Sequence, residues 1–471
     1  VPSHCFPYPP LLRRRRHRHH PCIYFACPRP LVQPSMSTNG ASSLPNWVLL
    51  NAHAYLGKHK NATFASGATR NGELIEVSFC PARPPFPSNL FVHCPDLDLS
   101  PFLPRIVRGV EDLLLLRVAI GSRITPDHCD YFIYRADTNG PPSLELLSRP
   151  HPFFHDDDVG LLSRGDHYTV AALIATSTPD QYHLHVFHSE TRTWIYRKVS
   201  VEEPQRGLPL KIPKNSDRLL YHDTSTVIAL GGKGGTLGWV DLWRGILFCD
   251  VLREDSGLRG VPLPLPVELV SCNNGMGVEL GCPKPLRGIA FIKTCDTDTG
   301  FLRLVHLEPD AICLRDEDDE TGSPSFLMRD WTITAWSNTK MTSSWKDWHK
   351  DFKIQASQLE ISSEIHSQLQ QSGLLYETQD GDEAAAAERA IHNLLVSDPI
   401  PGISAAEDVV YLMARIKYLH PKAWVLALDM RNNMLLGAAG FGAEREPGTR
   451  AMYCPSSISS YIMDMEAAQG M

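Results

Sequence analysis

Short apolar runs separated by Gly, Pro, Asn and Asp recur along the chain from Trp47 to Trp336. Runs of this length, rich in β-branched and aromatic residues and punctuated by turn formers, predict strands rather than helices. The predicted strands are Leu74–Phe79, Leu90–His93, Leu113–Ile120, Tyr131–Tyr134, Tyr168–Ala175 and Tyr182–Phe187. They continue with Thr193–Lys198, Thr226–Leu230, Leu237–Leu242, Ile246–Val251, Leu286–Ile292, Phe301–Leu307 and Asp330–Trp336.

Two hairpins are legible. Tyr182–Phe187 alternates polar and apolar positions, turns through His188-Ser189-Glu190-Thr191-Arg192 and resumes at Thr193-Trp194-Ile195-Tyr196. Gly238–Leu242 turns through Trp243-Arg244-Gly245 into Ile246–Cys249. Meanders of this kind, repeated along a chain, are the texture of propeller blades. The expected fold is mainly β: a β-propeller-like array of antiparallel meander blades with a helical or disordered insertion near the C-terminus.

The texture changes between Ile354 and Tyr418. Leu359, Ile361, Ile365 and Leu369 fall near helical spacing, and the alanine-rich acidic segment Asp380–Ile391 favours helix by propensity. Val409–Ala414 is apolar throughout and its period is ambiguous. Strand character returns at Ala423–Leu428, a polar turn follows at Arg431-Asn432-Asn433, and Met434–Ala439 completes a hairpin. The expected organisation is an N-terminal extension over 1–45, blades over 46–353, a helical or acidic insertion over 354–420, closing hairpins over 421–465 and a tail over 466–471. Trp47–Leu50, isolated from any hairpin, is expected to lie beside the Ala423–Ala439 hairpin in one sheet.

Composition changes this picture at the N-terminus. Residues 1–35 are proline-rich, carry six arginines and nothing acidic, and precede Met36. They are expected to be a disordered extension or upstream sequence ahead of a start at Met36, with a nuclear-import signal in Arg13–Arg18 as the functional alternative. The rest of the chain holds 39 basic against 53 acidic residues. So acidic a body repels phosphate backbones, and no nucleic-acid partner is expected. No window reaches the roughly 18 apolar residues of a membrane helix, so no membrane partner is expected either. The 12 cysteines are scattered singly with no Cys-x-x-Cys pair, and Cys80, Cys94 and Cys249 sit in apolar runs as small hydrophobes. A reducing compartment, cytoplasmic or nuclear, is the expectation.

With these residues in view, the chain resembles the plant family called domain of unknown function 1618. The resemblance rests on Trp47-Val48-Leu49-Leu50, Pro84-Pro85-Phe86-Pro87-Ser88, the block Gly238–Leu247 and Trp331–Trp336, the middle block being the most specific. It runs from Pro45 to about Tyr461. It implies a propeller-like β fold related in texture to kelch and F-box-associated domains, and it implies no activity. Leu44-Pro45 superficially resembles the opening of an F-box, but strand-like residues follow in place of its helices.

The chemical motifs are thin. Gly231-Gly232-Lys233-Gly234-Gly235-Thr236 lacks the Gly-Lys-Ser/Thr order and the following helix of a phosphate loop, and reads as a glycine-rich hairpin turn. His183, His185 and His188 have no nearby Cys or carboxylate to complete a metal site, and read as strand histidines on a blade. His155–Asp158 and Asp316–Glu320 lack calcium-loop spacing and read as solvated loops. No nucleophile motif stands in a convincing context, so no catalytic residue, cofactor or metal is expected. Trp194 and Trp243, at blade turns, are the possible contact residues for a protein partner, although packing between blades is the better reading of both. The expected function is therefore a non-enzymatic protein–protein interaction module. The alternative is an enzyme or carbohydrate-binding protein that uses the central cavity of a propeller.

Overall fold

The structure is a computed structural model. It describes residues 46–136, 140–148, 154–203, 221–264, 281–294, 299–319, 321–375, 390–420, 422–441 and 452–462. The described residues are mainly β and fall into two compact units, one within Phe154–Ala451 and the other within Pro7–Phe153 and Met452–Met471.

The second of these begins with β1 (Val48–Asn51), β2 (Tyr55–Leu56), β3 (Ala65–Ala68), β4 (Leu74–Cys80) and β5 (Pro87–His93). A four-stranded antiparallel meander follows: β6 (Arg105–Val110), β7 (Leu113–Ala119), β8 (Cys129–Arg135) and β9 (Ser143–Leu146). The two sheets share one core. Ile75, Val77 and Phe79, on one face of β4, meet Leu114, Leu116, Phe132 and Tyr134 there. Period-two alternation along β4 sends Glu76, Ser78 and Cys80 to the opposite face. Buried Tyr134 satisfies its hydroxyl by donating to the Thr63 carbonyl at 2.8 Å.

The Phe154–Ala451 unit is four successive meanders, each of four antiparallel strands. The first is β10 (Val159–Arg164), β11 (His167–Ala175), β12 (Gln181–His188) and β13 (Thr193–Glu203). The second is β14 (Thr226–Gly231), β15 (Thr236–Asp241), β16 (Gly245–Asp250) and β17 (Leu258–Pro262). The third is β18 (Arg287–Lys293), β19 (Gly300–Glu317), β20 (Pro324–Asn338) and β21 (His349–Gln355). The fourth is β22 (Leu395–Pro401), β23 (Val409–Arg415), β24 (Ala423–Asp429) and β25 (Met434–Phe441). The remaining strand, β26 (Tyr453–Ser456), returns to the other unit and pairs antiparallel with β1.

Successive meanders of this unit pack face to face, as propeller blades do. Leu162, Leu184 and Val186 of the first meet Leu237, Trp239 and Leu247 of the second. Val240, Ile246 and Phe248 of the second meet Leu302 and Leu304 of the third. Ile333 and Trp331 of the third meet Leu412 and Leu426 of the fourth. At each seam a buried tryptophan donates its indole N–H to a backbone carbonyl outside its own meander. Trp239 reaches Asp158 at 2.7 Å, Trp348 reaches Pro262 at 2.7 Å, and Trp331 reaches Ile391 at 3.1 Å. A buried indole N–H needs such an acceptor, so each residue fixes position as well as adding apolar area.

All thirteen predicted strands are present, and both predicted hairpins form as β12–β13 and β15–β16. The 354–420 segment differs from its expected character. Helix α1 (Ser363–Gln371), capped by the Ser362 hydroxyl, carries Ile365 and Leu369, but β22 and β23 occupy 395–401 and 409–415. Every residue of β23 is buried, so it shows no alternation from which a period could be read. Most of the Asp380–Ile391 segment, residues 1–45 and the 466–471 tail lie outside the described residues. The expected neighbour of Trp47–Leu50 is also corrected. β1 lies between β26 and β5, whereas Ala423–Ala439 forms the outer hairpin of the fourth meander.

Candidate interaction site

The two tryptophans singled out in the sequence have different fates. Trp243 is 2% exposed and presents no contact surface. It opens the turn between β15 and β16, where Asp241 accepts the backbone N–H groups of Trp243 at 2.9 Å, Arg244 at 3.1 Å and Asp223 at 3.0 Å. Its indole donates to the Gly281 carbonyl at 2.8 Å, and the Arg287 guanidinium stacks over its ring at 5.2 Å. Arg287 in turn donates to the Leu242 and Pro264 carbonyls. Trp243 is therefore a packing residue, because the β15–β16 turn is roofed by the strand that opens the third meander.

The cluster around Trp243 is ionisable yet buried. Burial pushes the Asp241 carboxyl up to about 6 against its three backbone hydrogen bonds. Burial pulls the Arg287 guanidinium down to about 9, with the Asp241 charge opposing. His306 lies 6.2 Å from the Trp243 ring, centroid to centroid, and burial holds its imidazole well below the usual range. Burial pushes all three groups toward their neutral forms, and the arrangement fixes the seam between two meanders.

Trp194 is half-buried near the start of β13 and keeps its role as a candidate contact residue. Its ring lies 5.4 Å from Phe187 and 6.1 Å from Phe154. Tyr196, two residues on and on the same face, stacks on His185 at 5.7 Å, and His185 meets His183 at 6.3 Å. An aromatic row thus ends in exposed rings. Tyr196 is 73% exposed and its neighbour Ile195 48%. Among the described residues, the strand on the outer side of β13 is β17, which it meets only at Val201 and Glu203. Among the described residues, the backbone edge from Ile195 to Ser200 has no strand partner on that side.

Farther along the same edge, where β13 meets β17, lies an open cleft of about 500 Å³. Glu202, Glu203, Asp250, Arg253, Arg259 and Lys340 supply charges of both signs to its wall. Arg197 of β13 holds the loop that lines it by donating to the carbonyls of Arg253 at 2.8 Å and Ser256 at 2.6 Å. The sequence showed no sign of this cleft, since its lining comes from three meanders.

The remaining sequence features also find their places. Gly231–Thr236 is the β14–β15 turn, with Gly231, Gly232 and Gly235 at φ of 77°, 74° and 61°, a region that favours glycine. Among the described residues no group of three or more His, Cys, Asp or Glu side chains could hold a metal. His155–Asp158 is not a solvated loop throughout: Asp156 is buried and Asp157 pairs with Lys284 at 2.6 Å. A lysine 127 residues away compensates charges that look exposed in sequence. Asp316–Asp319 does lie at the tip of the β19–β20 hairpin, mostly exposed, with Asp318 paired to Lys417 at 3.1 Å. Cys94 and Cys249 are buried as expected, but Cys80 is half-buried on the polar face of β4.

No curated protein matches the chain. Among solved structures it is similar to the WD40 domain of SCAP from fission yeast, at 8% identity and a TM-score of 0.31, over 85% of this chain and 91% of that one. It is also similar to the Penicillium chrysogenum alpha-L-arabinanase complexed with arabinobiose, at 10% identity and a TM-score of 0.25, over 86% of this chain and 99% of that one. The model of the family described as a protein of unknown function, DUF1618, matches residues 239–411, from within β15 of the second meander to within β23 of the fourth.

Proposed function

We propose that the protein is a non-enzymatic interaction module that holds a protein partner along the outer edge of β13. The observation that carries this reading is the coincidence of a backbone edge unpaired among the described residues with exposed Ile195 and Tyr196 and half-buried Trp194. Aromatic side chains with one buried and one exposed end dominate the energetics of protein contacts. An open edge adds main-chain hydrogen bonds to a partner strand. The module acts in a reducing compartment, cytoplasmic or nuclear, a reading supported by the seven described cysteines, none of which is in a disulfide. The acidic body supports a protein partner over a nucleic acid. Among the described residues no helix is long and apolar enough to cross a membrane.

The test is affinity purification of the full chain beside Tyr196→Asp and Leu436→Asp, the latter altering an exposed leucine of β25. A stoichiometric protein should accompany the unaltered chain and Leu436→Asp, and be lost with Tyr196→Asp. Recovery of the bare chain in every case, or equal recovery with all three, overturns the reading.

A further inference from the structure

The polar face of β4 carries a nucleophile beside a base. Cys80 ends the strand, and its sulfur lies 3.7 Å from Nε2 of His59. The imidazole is held from the other side by Phe91, whose ring stacks on it at 5.1 Å and 21°. Phe91 is positioned by its pairing with Ser78 of β4 and with Tyr55 of β2. Cys80 and His59 are both half-buried, so the pair is not sealed within the core. Backbone pairing on two strands and ring stacking thus hold the two side chains together.

The charged side chains near the pair have partners of their own. Lys58 and Lys60 flank His59 in the chain, with Lys60 over the Phe64 ring at 4.9 Å, and Arg83 follows Cys80 in the next turn. Glu76, the carboxylate on the same face of β4, is taken up by Lys58 at 3.0 Å. His93, opposite Glu76 on β5, and Tyr55, whose ring lies 5.7 Å from Phe91, are further titratable groups on this face. An adjacent imidazole is itself a setting in which thiols react as thiolates.

We infer that Cys80 and His59 form a reactive thiol–imidazole pair, a site of mixed-disulfide formation with low-molecular-weight disulfides. His59 Nε2 takes the proton from the Cys80 sulfur, which attacks one sulfur of the disulfide. The reagent's S–S bond breaks as the new one forms, and the leaving thiolate takes the proton from His59. Cys80 is oxidised and one half of the reagent is reduced to its thiol, so no other oxidant is needed.

Cys313 is the internal reference. It is also half-buried, and its thiol donates to the Leu314 carbonyl at 3.5 Å rather than facing an imidazole. The full chain is incubated with oxidised glutathione at about pH 6.5, below the ordinary thiol range, and each cysteine is followed by peptide mass mapping. Cys80 should be modified about tenfold faster than Cys313, as a larger thiolate fraction implies. His59→Gln should remove most of that advantage at this pH. At about pH 9, where a thiol ionises unaided, the same substitution should change the rate less than about twofold. Rates are read while buried Cys94 and Cys249 stay unmodified, which certifies folded protein, and His59→Asn must reproduce the loss. Equal rates for Cys80 and Cys313, or a Cys80 rate unaffected by either His59 substitution at the lower pH, overturns the inference.

Discussion

The indole nitrogen of Trp239 donates to the carbonyl oxygen of Asp158 at 2.7 Å, across 81 residues of sequence. Trp239 is fully buried in the core between the first two meanders, and Asp158 immediately precedes β10. One side chain therefore fills the seam and fixes where the first meander begins.

Replacing Trp239 with Phe tests that double role. The substitution removes the donor and leaves a carbonyl unsatisfied beside a small void. A loss of about 3 kcal/mol is expected, by combining a hydrogen-bond penalty with partial loss of a large buried ring. Urea unfolding at equilibrium measures it, and a midpoint equal to that of the unaltered chain contradicts the role assigned to the indole.

Asp241 makes stability depend on pH. Burial raises its carboxyl from 3.8 to about 6, so the folded chain holds this proton where the unfolded chain has released it. The associated stability is fully present below pH 3.8 and is lost as pH rises through about 6. The loss is on the order of 3 kcal/mol, from the size of a pKa unit. Asp241→Asn keeps an oxygen for the Trp243 and Arg244 amides and has nothing to titrate. Urea midpoints at several pH values between 4 and 7 should fall more steeply for the unaltered chain than for the variant. Parallel curves would show that Asp241 does not contribute.

Gly288 has no room for a side chain. A Cβ there would run into the Pro399 carbonyl oxygen, because β18 and β22 approach backbone to backbone. Gly288→Ala should cost about 1–3 kcal/mol, the range for overpacking where the neighbour is main chain. A thermal melt that matches the unaltered chain would mean that the two strands part more easily than their contacts suggest.

β1 supplies the last test. It lies between β26 and β5, so its loss breaks two strand pairings at once and exposes Ile75 and Leu90 in the core beneath. Deletion through Asn51 should give insoluble protein, since it opens strand edges in a hydrophobic sheet. Deletion of the polar, proline-rich residues 1–35 should leave the melting temperature unchanged. A soluble longer truncation that melts like the full chain would show that β1 is dispensable.

Much of this architecture could be read from the sequence because strand formation is local. The alternation in Tyr182–Phe187, the polar turn at His188–Arg192 and the glycines of the β14–β15 turn each specify backbone direction over a few residues. Those signals were sufficient for the mainly β class, for both hairpins and for the rejection of a phosphate loop. They failed where burial is two-sided. Val409–Arg415 has every position covered, so nothing in its composition separates a central strand from a buried helix.

Which side chains meet was decided by tertiary structure alone. Trp194 and Trp243 look alike in sequence, each at a hairpin turn. One borders a strand edge unpaired among the described residues, while the other is roofed by Arg287 from the next meander. The Lys284 that compensates Asp157, and the His59 that faces Cys80, come from segments 127 and 21 residues away. The register that joins such pairs depends on β-sheet pairing between distant segments, and on packing that only the assembled core selects. Sequence pattern determines the strands; the pairing of those strands determines the chemistry.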